Sequence, residues 1–253
     1  MGHFADNPLL VLAASWVALA LCAWLGANIA GGTAARSAEV RDEFNLVLTA
    51  SLTLLGLIIG FSFSMAVSRY DQRKHYEEVE TNAIGTAYLR ADLLPADAAA
   101  RSRALLKDYL EQRVLFYTTT DPSRLPRIAT ESSRLQGQLW SEASTAAAAQ
   151  PNPIVAQVIA GINDVFDSQS STQAAWWNRI PEAAWALMLL IAMMCNVMVG
   201  YAAYRLKPRW RLLVLLPLVL SIAFALIADI DGPRGGFIHV VPQNLLSLRD
   251  QLR

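Results

Sequence analysis

Four apolar runs, approximately residues 8–30, 46–68, 181–204 and 210–228, constrain this chain more than any other feature. Each is long enough to cross a bilayer, whose hydrocarbon core of about 30 Å takes roughly 20 residues at about 1.5 Å per residue. No water is there to satisfy the backbone, which must pair internally, so each run is expected to be a transmembrane helix. A hydrophobic content of 54% against 17% charged residues points the same way, being too apolar for an ordinary soluble protein of 253 residues. The first run reads as a retained span rather than a secretory signal: the preceding MGHFADN carries no Lys or Arg, and the run outlasts a signal h-region. Trp176, Trp177, Trp185 and Trp210 gather near the starts of the third and fourth runs, where amphipathic rings suit the headgroup layer.

Several function classes fall away on composition. Lys and Arg together number 21, balanced by 21 Asp and Glu, so no basic field, phosphate loop or aromatic-basic motif argues for nucleic acid. Cys22 and Cys195 lie inside apolar runs and behave as small hydrophobes. His3, His75 and His239 are far apart, with no Cys or carboxylate at ligand spacing, so no metal or cofactor is expected. No catalytic Ser/His/Asp, Cys/His or HExxH arrangement stands out. Asp92 and Asp97, beside Pro95, read as turn and first-turn carboxylates, and the chain is not expected to be an enzyme.

The expected fold class is all-α: a polytopic membrane protein with four transmembrane helices and a helical bundle inserted between spans two and three. Residues 1–68 hold the first two spans, 69–180 the extramembrane bundle, 181–228 the last two spans and 229–253 a tail. After Ser68 the helical pattern runs without a breaker to Leu94. A second helix opens at Pro95 and carries Leu106, Leu110, Val114 and Tyr117 on one stripe; TTTDPSRLP is a loop. A third helix runs from about Arg127 to Ala149 and stops at QPNP. The fourth aligns Val155, Val158, Ile159, Ile162, Val165, Phe166 and Gln169. The outer bundle helices are expected to continue into spans two and three. The tail opens on a Gly/Pro turn and ends in a short amphipathic helix.

Span two carries two rows. Gly56, Gly60, Ser64 and Ser68 recur every fourth residue, a small-residue ridge that lets another helix approach closely in lipid. Span one has a similar ridge in Ala14, Ala18, Cys22, Gly26 and Ala30, so the two spans could pack on each other, or the ridges could meet another subunit. Rotated from the span-two ridge are Thr53, Leu57, Phe61 and Met65, either lipid-facing or lining a pore constriction that gates by dewetting. The exit, SRYDQRKHYEE, is heavily charged; Arg69 and Arg73 could merely snorkel to headgroups, but that leaves the unbroken charged helix beyond them unexplained.

The block SLTLLGLIIGFSFSMAVSRYDQRKHYEEVETNAIGTAYLRADLL, residues 51–94, resembles the bestrophin-like domain family, a bacterial group distantly similar to bestrophin ion channels. Gly60-Phe61 followed by Arg69-Tyr70 resembles the Gly-Phe and Arg-aromatic pair of the bestrophin neck helix, and YDQR its bacterial Tyr-Asp-Arg. That register implies neck positions at Thr53, Leu57 and Phe61, with Thr53 departing from the family's bulky apolar pattern. The resemblance further implies a homo-oligomer, a pentamer, in which span two lines a central pore for inorganic ions and continues into a cytosolic vestibule. Arg69, Arg73 and Lys74 would then guard the pore mouth, offset by Asp71, Glu77 and Glu78, so the sign of selectivity stays open. Animal bestrophins also bind calcium through acidic residues after the fourth span, where this chain has Asp229 and Asp231. Two carboxylates fall short of the six to eight oxygens Ca²⁺ takes, and helix termination at Gly232-Pro233 is the simpler reading.

The resemblance implies a bacterial inner-membrane protein with its bundle in the cytoplasm. The short loops opposite carry Arg36, Arg41, Arg205, Lys207, Arg209 and Arg211, and the positive-inside rule pulls those loops toward the cytoplasm instead. That opposite topology suits an alternative function, a membrane-anchored sensor or scaffold whose bundle binds a ligand or partner.

Overall fold

The computed structural model describes residues 7–31, 38–203 and 210–253; Arg36, Arg205, Lys207, Arg209, Tyr204 and His3 lie outside them, as do the side chains of Ala30, Arg41, Trp210 and Arg211. The described residues form helices joined by short turns, with no strand among them. In chain order they are α1 (Pro8–Gly31), α2 (Ala38–Arg90), α3 (Ala96–Thr118), α4 (Leu125–Ala149), α5 (Pro153–Trp177), α6 (Glu182–Ala203), α7 (Trp210–Asp231) and α8 (Gln243–Gln251). Among the described residues four segments are long and apolar enough to cross a membrane, within Pro8–Ile29, Asp42–Leu93, Pro153–Ala203 and Leu213–Asp231. The protein is a multi-pass, all-α membrane protein.

The chain divides into two compact units, Met1–Ser68 with Arg179–His239, and Arg69–Asn178 with Val240–Arg253. In the first, α1 packs against α6 and α7. Val11, Leu19, Leu55, Met188, Cys195 and Phe224 share its core. Contact between α1 and α6 is backbone to backbone: a Cβ on Gly26 would run into the Val197 carbonyl, and one on Gly200 into that of Ala23. Gly26 of the first-span ridge thus finds its close neighbour in span three.

In the second unit α3 packs on α4, α4 on α5 and α8 on α3. Tyr109, Leu110, Leu135, Leu139, Val158 and Val165 lie at its centre. Phe116, Tyr117 and Trp176 close one end, the Trp176 ring 4.8 Å from Phe116 and 5.4 Å from Tyr117. The residues expected on one face of α5 do line the core, with Val155, Val158, Ile162 and Val165 buried. Asn152 caps that helix, its Oδ1 accepting the N–H groups of Ile154 and Val155 at 2.9 and 3.0 Å.

Three boundaries differ from those read in the sequence. The α2 helix ends at Arg90, and a 3₁₀ turn over Ala91–Leu93 leads to an extended Leu94, the conformation a residue before proline favours. The α4 helix starts at Leu125 rather than Arg127, because Asp121 caps a 3₁₀ turn over Pro122–Arg124 that feeds directly into it. Finally, α2 runs 53 residues without a break, as expected, but α5 does not continue into span three. It stops at Trp177, and α6 begins at Glu182 after Pro181, whose missing N–H and ring interrupt the helix.

Candidate pore helix

From Leu55 to Ala87 the two faces of α2 differ. One stripe is buried: Leu55, Ser62 and Ala66 in the apolar part, then Arg73, Glu77, Glu80, Thr81, Ile84 and Ala87. These positions recur at intervals of one, three, four or seven, the period of a helix with one inward face.

The opposite face of the apolar part is open. Leu57 and Phe61 are 54% and 64% exposed, and Thr53 and Met65 are exposed beside them. The Thr53 hydroxyl donates to the Thr49 carbonyl at 2.8 Å, so the polar end of this side chain is satisfied within its own helix. Thr53 therefore keeps its place in the apolar row without an unpaired polar group. The small-residue row is open too: Gly56 and Gly60 have nothing within 4 Å of where a Cβ would sit, and Ser64 and Ser68 are exposed.

Beyond Ser68 the three cations expected at a pore mouth part company. Lys74 is exposed and Arg69 half-buried. Arg73 is turned inward, 1% exposed, donating from Nε to the Ala175 carbonyl and from Nη2 to that of Asn178, each at 3.4 Å. Arg73, expected at the mouth with the other two, therefore lies on the inward side of α2 in this structure. A cation against the last carbonyls of α5 satisfies acceptors the helix cannot, and complements its dipole. Asp71, His75, Glu78 and Asn82 occupy the exposed side of this stretch instead.

The next two turns continue inward. Glu77 Oε1 accepts the Leu245 N–H at 2.9 Å and its Oε2 the Asn244 amide at 2.6 Å, which places a carboxylate at the start of α8. Glu80 meets Arg113 on α3 through a close Nε–Oε1 pair. Its Oε2 also accepts from the Tyr117 and Thr172 hydroxyls at 3.3 and 3.2 Å. Burial opposes the Arg113 charge, but the adjacent Glu80 carboxylate, together with the Tyr109 and Tyr117 oxygens, outweighs it and holds this guanidinium above its usual range. Burial also pushes the Tyr109 and Tyr117 phenols well up, so both serve as neutral hydrogen-bonding groups. Sequence reading missed this ladder, although Arg73, Glu77 and Glu80 fall at helical spacing on the stripe of Leu55, Ser62 and Ala66. Among the described residues, no three His, Cys, Asp or Glu side chains converge as a metal site would require.

The sequence matches the Bestrophin-like domain family over residues 13–245. No curated protein matches it. Among solved structures, a variant of a bacterial bestrophin homologue from Klebsiella pneumoniae superposes with a TM-score of 0.69 at 12% identity, covering 97% of each chain. Another structure of that homologue gives a TM-score of 0.64 at 14% identity over 96% of this chain and 98% of the other. These superpositions establish a common fold, and the family match covers nearly the whole chain: this protein belongs to the Bestrophin-like domain family.

Proposed function

We propose that the protein is a homo-oligomeric ion channel in which α2 of each copy lines a central pore. The observation that carries this reading is the open face of α2. A helix buried along Leu55, Ser62 and Ala66 leaves Gly56 and Gly60 bare beside an exposed row of Thr53, Leu57 and Phe61. In a ring of copies, a pentamer on the family resemblance, the row of Gly56, Gly60, Ser64 and Ser68 meets the neighbouring copy, where small residues permit close approach in lipid. Thr53, Leu57 and Phe61 then face the axis as an apolar neck for inorganic ions, gating by dewetting. Arg69 and Lys74 stand at the mouth, with Asp71, His75 and Glu78 on the continuing exposed side. The bundle around the charged half of α2 forms the vestibule, on the cytoplasmic side of a bacterial inner membrane. Family membership and a fold shared with bacterial bestrophin homologues support the reading.

Phe61→Ala tests it. The truncation widens the neck at its most exposed aromatic and is expected to raise ion flux in liposomes, with the oligomer mass unchanged in native mass spectrometry. A stable monomer whose liposomes stay ion-tight would refute the channel.

A further inference from the structure

The last turn of α7 carries two buried carboxylates, Asp229 and Asp231, 5% and 6% exposed. Asp229 Oδ1 accepts the backbone N–H of Phe237 at 2.7 Å. Both oxygens of Asp231 share the N–H of Ile180, at 3.2 and 3.1 Å. One carboxylate therefore folds the following segment back onto the helix end, and the other holds the residue just ahead of Pro181 and α6. Gly236 makes the first contact possible: its φ is +82°, and a Cβ there would collide with Asp229 Oδ1.

This is the stretch to which the bestrophin resemblance attaches a calcium site, and the residues present do not fit one. Ca²⁺ takes six to eight oxygens, and its anionic ligands must face it, whereas here both carboxylates are turned to backbone N–H donors and no third acidic side chain joins them among the described residues. We infer that Asp229 and Asp231 form a cation-independent latch, in which the amides of Phe237 and Ile180 occupy the place a divalent ion would take. The latch ties the end of span four to the start of span three and to the segment that follows it, whether or not the protein conducts ions.

Thermal melting of the purified full-length protein in detergent, first in EGTA and then in millimolar Ca²⁺, tests this. The wild-type midpoint is expected to be the same in both. Asp229→Ala, which orphans the Phe237 N–H, is expected to lower it by several degrees, and Gly236→Ala to do likewise. Asp229→Asn keeps an acceptor oxygen and is expected to retain most of the stability. A wild-type midpoint that rises with Ca²⁺ would overturn the latch, as would Asp229→Ala melting like wild type. If a variant does not fold, the wild-type comparison still decides. Melting does not depend on conduction, so the latch stands or falls separately from the channel.

Discussion

Glu80 is fully buried, and both its oxygens have donors: Oε1 meets Arg113, and Oε2 takes Arg113, Tyr117 and Thr172. Arg113 in turn lies over the Phe116 ring at 4.4 Å, which adds a cation–π contact to the pair. Removing one charge of such a pair strands the other, whereas removing both together mostly exchanges polar contacts for packing. Glu80→Ala is therefore expected to cost about 3–5 kcal/mol, and the double variant Glu80→Ala, Arg113→Met to recover much of that loss. Tryptophan fluorescence during denaturation is the measurement, since Trp176 packs on the ring of Tyr117. A Glu80→Ala protein as stable as wild type would show that the pair contributes nothing to the fold.

At the scale of helices, the glycines separate into two kinds. Gly26 and Gly200 sit where backbones of α1 and α6 touch, so Gly200→Ala drives a methyl group into the Ala23 carbonyl and is expected to destabilise the protein by about 1–3 kcal/mol or more. Gly60 has open space around it, so Gly60→Leu should leave the fold of one chain intact while displacing the proposed neighbour. The expected outcome is an unchanged monomer melt with loss of the oligomer in native mass spectrometry; an intact oligomer would move the subunit contact elsewhere. Spacing alone locates both ridges, because a row of small residues is visible in sequence, but not the helix each one meets. Helix periodicity likewise locates the spans and the face of α5. What it misses lies between distant residues: Glu77 and Leu245 are brought together by the tertiary fold, and a charged side chain reads as solvent-facing until its buried partner is known. The break before α6 is present in the sequence as Pro181, but a proline at the edge of an apolar run is equally compatible with the first turn of a continuing helix.

At the scale of the whole molecule, charge and resemblance disagree about which side of the membrane holds the bundle, and one exposed turn can decide between them. Ser123 lies in the 3₁₀ turn between α3 and α4, exposed, with its N–H held by the Asp121 carboxylate at 2.9 Å. Ser123→Cys keeps that N–H and adds a reachable thiol, whereas the native Cys22 and Cys195 are both free and buried and supply little background. With the bundle in the cytoplasm, a membrane-impermeant thiol reagent is expected to leave intact cells unlabelled and to label the variant fully once the cells are lysed. Labelling of intact cells would put the bundle outside, in agreement with the arginines of RLKPRWR. That result would also favour the alternative of a membrane-anchored sensor or scaffold, whose bundle binds a ligand or partner outside, over a cytoplasmic vestibule.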